Sequence, residues 1–196
     1  MLLELAELLR CPHPHEDAFL VLSTGAMRDR HLLFGTIGCP VCRAEFPVLE
    51  GVARFGDPPH PSGPSRPNLP DPDHVRAVLG LESAGGYVAL IGDAGGLAAR
   101  LPSLEGVHLV CVNPPSDVPH DQGRSLMYAP DFIPLKTASA RGVVVGADHA
   151  HPPWLAEAAR VLLRGQRVVV LSAAVAPPTG VSAMAAGQGM WVGRRD

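Results

Sequence analysis

Cys39 and Cys42, separated by Pro40 and Val41, put two thiols on one tight turn, and Cys11 supplies a third far upstream. Two thiolates spaced in this way can grip a single tetrahedral ion, and zinc favours such nitrogen and sulfur sites. A second knuckle would need a cysteine three residues beyond Cys11, but that place holds Pro14. The fourth donor then falls to one of the nearest histidines. The reading is a Cys3His site of Cys11, Cys39, Cys42 and His15, with His13 as the alternative fourth ligand. The competing expectation is a knuckle that has lost its metal and stands on hydrophobic packing. A C-x2-C pair in a reducing compartment more often binds metal than closes a disulfide. Cys111, the last of the four cysteines, lies in an apolar run and reads as a core residue.

A second set of candidate residues follows the apolar run Tyr87-Val88-Ala89-Leu90-Ile91, where Gly92, Asp93, Ala94, Gly95 and Gly96 come in succession. Glycines at a strand-to-helix junction let the backbone turn sharply, approach a ligand closely and point amides outward. The expectation is a nucleoside-sized hollow at the rim of a sheet. Asp93 could offer its carboxylate to an ammonium group there, or be a solvated loop acid. A third set, Asp148, His149 and His151, follows the run Gly142-Val143-Val144-Val145. An acid beside a histidine can act as a general base toward a hydroxyl or amine, and two histidines can take a metal. The plainer expectation is a helix cap and loop histidines without a chemical task.

The elements that must position these residues can be read from the same chain. Its 196 residues suffice for one full domain and an appendage, and 46% hydrophobic content supplies a core. The first ten residues carry leucines at helical spacing but also acids and no positive leader. They predict a short amphipathic helix, neither a signal peptide nor a membrane span, in a cytoplasmic protein. A net charge of −3, with Lys136 the sole lysine, provides no field that would draw a nucleic acid backbone. Short strands are expected at 19–22, 30–37 and 46–52. Residues 57–73 are so rich in proline that they read as an extended linker. The predicted organisation is therefore a small β module over 1–56, the linker over 57–73, and a second domain over 74–196. Within the last, Asp73 is the expected cap of a helix through Val75, Val78 and Leu79. Apolar runs at 87–91, 107–112, 125–128, 142–145 and 167–171 alternate with helical stretches at 96–101 and 154–163. That pattern predicts an α/β domain with a Rossmann-like, doubly wound and mostly parallel sheet.

Two resemblances attach to these residues. Leu8-Leu9-Arg10-Cys11-Pro12, Gly38-Cys39-Pro40-Val41-Cys42-Arg43, Phe46-Pro47-Val48 and Gly51-Val52-Ala53-Arg54 together resemble the zinc-ribbon family of tRNA-methyltransferase activator subunits. That family includes stand-alone proteins and modules fused to methyltransferases, and the chain departs from it at Pro14. The glycine loop, Ile133-Pro134-Leu135, the run from Trp154 through Leu171 and the segment 189–193 resemble the class I S-adenosylmethionine-dependent methyltransferases, across most of 73–196. This resemblance implies a cofactor pocket around Gly92, Asp93, Gly95, Gly96 and Asn113. The family commonly has an acid where this chain has Leu90, and a ribose-binding acid where it has Asn113. An amide oxygen can still accept a hydrogen bond, without the charge assistance, so the implied pocket is a weakened one.

The resulting expectation is a methyltransferase-like protein with a zinc-bearing head and a reduced S-adenosylmethionine pocket, acting on an unspecified substrate. Its rival is a catalytically inactive pseudo-methyltransferase serving as a structural or regulatory subunit. A third reading is a metal-dependent activity centred on His149 and His151. The role of the ribbon family in docking methyltransferases implies a protein partner or a homo-oligomer.

Overall fold

In the computed structural model, which describes residues 1–57, 63–64, 68–81, 83–101, 106–121 and 123–196, the apolar runs become the middle of one sheet. They form β5 (Tyr87–Ile91), β6 (His108–Val112), β7 (Arg124–Tyr128), β8 (Ala140–Val145) and β9 (Leu162–Val170). All adjacent pairs of the series β7-β6-β5-β8-β9 are parallel. The N-terminal strands are β1 (Val21–Arg28), β2 (His31–Gly38), β3 (Glu45–Leu49) and β4 (Val52–Arg54), an antiparallel meander. A C-terminal hairpin, β10 (Val181–Gly187) and β11 (Met190–Arg195), joins β9 through β11 in antiparallel sense. The fold is thus α/β with a largely parallel sheet at its centre.

The meander does not stand apart. β4 pairs parallel with β7, matching Val52, Ala53 and Arg54 to Leu126, Met127 and Tyr128, so the described strands form one sheet in the order β1-β2-β3-β4-β7-β6-β5-β8-β9-β11-β10. Backbone bonds also cross between the segments, from Arg10 N–H to the Pro134 carbonyl and from Lys136 N–H to that of Leu8. At this seam the Leu2 amide donates to Ser125 Oγ at 2.9 Å, which leaves the hydroxyl proton to face His108 Nε2 at 2.8 Å. Burial, helped by nearby His31, pushes the His108 pKa down to about 4, which matches a neutral ring accepting that proton.

Alternation along the parallel strands builds two cores. Ala89, Ile91, Val110, Val112, Val143 and Val145 face one layer, formed by α2 (Pro152–Val161) and the N-terminal residues Met1, Leu5 and Leu9. Val88, Leu90, Cys111 and Val144 face the other, formed by α1 (Pro72–Leu79) and the turn that holds Ala94 and Leu97. Leu5 and Leu9 are fully buried, each contributing about 1.5–3 kcal/mol.

Several local expectations are corrected. The cap of α1 is Asp71, whose carboxylate accepts the His74 amide at 3.1 Å, and not Asp73; Pro72 fits the first helical position, so the cap must precede it. The N-terminal helix over Leu3–Leu8 and the segment Gly92–Leu97 are both 3-10 helices, and the α-helical stretch expected at 96–101 does not form. Two adjacent glycines make a poor helix start there. The strand expected at 46–52 is two strands, split by the turn at Glu50 and Gly51, both with positive φ. Much of the expected linker, residues 58–62 and 65–67, lies outside the described residues.

Candidate functional site

The turn between β2 and β3 is closed by backbone bonds from the Cys39 amide to the Ala44 carbonyl and from the Arg43 amide to the Cys39 carbonyl, both 2.9 Å. It carries the Cys39 and Cys42 thiols toward the loop that follows the first 3-10 helix, where Cys11 and the histidines lie. The ligand atoms of Cys11, His15, Cys39 and Cys42 all fall within 4.8 Å of one another. Cys11 Sγ is 3.6 Å from Cys42 Sγ, and Cys39 Sγ is 3.3 Å from His15 Nε2. Ligands at about 2.3 Å from a tetrahedral zinc would be separated by about 3.7 Å between sulfurs, so these edges suit that ion. The other ring nitrogen of His15 is 2.6 Å from the Glu16 carbonyl, the kind of second contact that fixes the tautomer of a metal-binding imidazole. His13 also touches the cluster, with Nδ1 3.3 Å from Cys42 Sγ, but it is not one of the four mutually close donors.

The thiols differ in their surroundings. Burial, with the neighbouring cysteines, pushes the Cys11 thiol up to about 12. Burial would also raise Cys39, but amides of Cys42 and Val41 and the thiols of Cys42 and Cys11 outweigh it and bring Cys39 down to about 7. Cys111, on β6, lies fully buried in the core beneath α1, as its apolar run predicted.

The second cluster sits where the order of parallel strands reverses, between β5 and β8, at their carboxyl ends. Open α/β sheets bind ligands at this place. Gly146 N–H donates to the Ile91 carbonyl at 2.9 Å and ties the two strand ends together. Gly92 turns the chain with φ of +60°, a region favouring glycine. A Cβ there would collide with His149 Nδ1 and the carboxylate of Asp148, so these two side chains occupy the space against the turn. The Asp148 carboxylate accepts the Asp93 amide, at 3.0 Å and 3.2 Å to its two oxygens. His149 Nδ1 is 2.9 Å from Asp148 Oδ2. Burial would raise the Asp148 pKa, but the His149 ring and the Asp93 amide outweigh it and hold the carboxyl below its ordinary value. His149 is 7% exposed and packs edge-on against Trp154 at 4.5 Å, and neither ring nitrogen makes a well-aligned hydrogen bond among the described residues, Nδ1 despite its closeness to Asp148.

The rest of the glycine loop is covered from the β6 side. A Cβ at Gly95 would lie 2.9 Å from Pro114 Cβ, and Gly96 is buried within the 3-10 helix. Asn113, with φ of +51°, donates from Nδ2 to the Ala129 carbonyl at 2.7 Å and accepts the Ala129 amide on Oδ1 at 3.0 Å. Both ends of its amide therefore fasten the end of β6 to that of β7. The structure brings together Gly92, Asp93, Asp148 and His149. His151 stands apart, exposed, at the start of α2 with no side-chain cap bond.

One polar device near this edge was visible only as a spacing. Glu157 and Arg160 form a two-pronged pair at 2.7 and 2.6 Å. The pair clasps the 133–135 loop: Glu157 accepts the Ile133 amide, and Arg160 donates to the carbonyls of Ile133 and Leu135. The i,i+3 placement of acid and arginine on a helix was the available signal.

No family model and no curated protein matches the chain. Among solved structures it is similar to a putative methyltransferase from an antibiotic biosynthesis pathway of Anabaena variabilis, at 20% identity over 53% of this chain and 46% of that one, with a TM-score of 0.44. A putative methyltransferase from Bacillus halodurans gives 18% identity over 53% and 52%, with a TM-score of 0.43. A chain of the complex between the Haloferax volcanii Trm112 methyltransferase activator and a putative methyltransferase gives 19% identity over 49% and 50%, with a TM-score of 0.40. The chain spans about half the length of these structures, and the likeness is one of fold.

Proposed function

We propose that this chain is a pseudo-methyltransferase, a structural or regulatory subunit whose cofactor crevice is taken up by its own side chains. The observation that carries this reading is the Asp148 carboxylate. It receives the Asp93 amide at the start of the glycine loop and lies with His149 against Gly92, where a ligand of such a loop would sit. Asn113, the position that resemblance assigns to a ribose, is spent on the backbone of Ala129. The head, residues 1–56, would hold zinc through Cys11, His15, Cys39 and Cys42. That four-coordinate set leaves no open position, and the ion's contribution would be structural. Residues 57–73 would connect it to the methyltransferase-like part, 74–196. A reducing, cytoplasmic setting would keep these thiols available as ligands. Among the described residues, no helix is long and apolar enough to cross a membrane.

Titration calorimetry with S-adenosylmethionine and its demethylated product tests the proposal. The expected result is no binding heat at high micromolar ligand; a dissociation constant in the low micromolar range would overturn it.

One observation favours a second reading, an active methyltransferase. An acid beside an imidazole whose far nitrogen is buried without a partner is also the arrangement of a general base. In that case Gly92, Asp93, Gly95, Gly96 and Asn113 would hold the cofactor weakly and His149 would accept a proton from a substrate hydroxyl or amine. Transfer of a labelled methyl group by the isolated chain, abolished in His149→Ala, would establish it.

A further inference from the structure

The connection from β9 to β10 leaves a vacancy in the fold. Both strands pair antiparallel with β11, so they run parallel to each other, and the chain must cross back over one face of the sheet between them. Such a crossover ordinarily takes a dozen or more residues and carries a helix that covers the sheet. Here it has only residues 171–180, between Val170 and Val181, and none of them is helical. Beside it, along the outer face of α2, lies a groove of about 1000 Å³.

We propose that this groove receives an acidic, amphipathic α-helix of a partner protein, in the place where the missing crossover helix would lie. The size fits. A helix with a radius of about 5 Å and a rise of 1.5 Å per residue fills roughly 120 Å³ per residue, so the groove accepts about two turns. Its surface suits an apolar stripe, since Leu155, Ala156, Ala159 and Val175 line it. Small alanines on α2 let a second helix approach closely. Charge identifies the polar face of the occupant. Arg164 lies exposed on the rim with no carboxylate partner among the described residues, and Arg195 points its guanidinium at the carbonyls of Arg160 and Leu162 and at no acid. The single acid in the lining, Asp196, already accepts the Ser182 hydroxyl at 2.6 Å. Acids flanking the apolar stripe of an incoming helix would meet this excess of positive charge. The chain's own leucine-rich, acidic segment is no candidate, because Leu5 and Leu9 are fully buried in its own core. The inference rests on the topology of β9, β10 and β11 and does not depend on whether the crevice at Gly92 is filled.

The test is selection of a display library of sixteen-residue peptides, built from Ala, Leu, Glu, Lys, Ser and Gly, on the immobilised full chain. Enriched peptides should carry leucines at i, i+3, i+4 and i+7 with glutamates beside them. A synthesised winner should bind the parent chain and lose about tenfold or more in affinity to Arg164→Glu and, separately, to Ala156→Glu. Both residues are exposed, and unchanged thermal unfolding of the variants checks that the fold is kept. No enrichment, winners without helical periodicity, or winners indifferent to both substitutions would overturn the proposal. Decanoate, assayed in parallel, would overturn it in favour of a small amphipathic anion if it bound as tightly as the peptides and was lost in the same two variants.

Discussion

At the cysteine head, four donors from two segments converge on one point; at the glycine crevice, Asp148 and Asn113 are spent on backbone groups while the buried His149 ring is left without a hydrogen bond among the described residues. Cys11 and Cys42 bring two sulfurs to 3.6 Å, a contact that two thiols gain little from and that a shared cation would turn into an attraction. Asp148 instead takes the Asp93 amide and faces His149, and Asn113 uses both ends of its amide on Ala129. Convergence with unspent valence marks a place built for something absent from the chain. At the crevice, hydrogen-bond satisfaction reaches Asp148 and Asn113 but not His149. The two regions look alike in the sequence, as clusters of ligand-type residues, and differ in what the fold does with them.

The greatest loss is expected at the head. Cys39→Ser should take the zinc content from one per chain to none, as read by elemental analysis. Structural zinc is worth about 10–16 kcal/mol in isolated finger peptides. Here the head also leans on the sheet through β4 and β7, so a loss of several kcal/mol is expected. At about 2–4 °C per kcal/mol for a chain of this size, Tm should fall by about 10 °C or more. An unchanged Tm, with or without a chelator, would mean that packing alone holds the head. A smaller effect is expected at the crevice from Asn113→Asp. A carboxylate can still accept the Ala129 amide, but it cannot donate to the Ala129 carbonyl and would set a charge against it in a buried position. The cost should be about 3 kcal/mol in urea unfolding. No heat of S-adenosylmethionine binding should appear. A variant as stable as the parent that gained such heat would make position 113 a cofactor acceptor.

The same contrast explains what the chain discloses before folding. Each half of the cysteine cluster is local: Cys39 and Cys42 share one turn, Cys11 and His15 lie four residues apart, and only the meeting of the two halves spans a distance in sequence. β5 was readable to the residue because an uninterrupted apolar run has no other use in a sheet buried on both faces. By contrast, the partners that meet at the crevice are far apart. The Asp93 amide meets a carboxylate 55 positions away, and nothing near Asp93 announces it. Asn113 reads as a strand-end amide, and its grip on Ala129 depends on the register of β6 against β7. The union of the two sheets through β4 and β7 is likewise a pairing between distant segments. β10 was hidden for another reason. Val181-Ser182-Ala183-Met184-Ala185-Ala186-Gly187 has little β propensity, and its pairing with β11 overrides that.

The smallest effect sharpens the account of the crevice, because it asks whether the charge of Asp148 or only its shape closes the site. Asp148→Asn keeps an oxygen for the Asp93 amide and loses the charge that faces His149. At pH 7 the variant should be less stable by about 1 kcal/mol, the difference between a charge-assisted and a neutral hydrogen bond. The pH dependence gives the decisive reading. Burial works to raise the Asp148 pKa, but the His149 ring and the Asp93 amide hold it below its ordinary value in the folded chain. In the unfolded chain the carboxyl takes up its proton near about pH 4 while the folded one still resists, so there the unfolded state binds more protons. The carboxylate's contribution is thus fully present above about pH 4 and is lost as pH falls through the folded value. Urea unfolding of parent and variant at successive pH values should show the gap of about 1 kcal/mol holding from pH 7 to about pH 5 and narrowing toward zero below about pH 3.5. A gap that stayed constant over that range would assign the closure to the shape of the side chain and not to its charge. Any residue of matching size would then serve against Gly92 as well as an acid does.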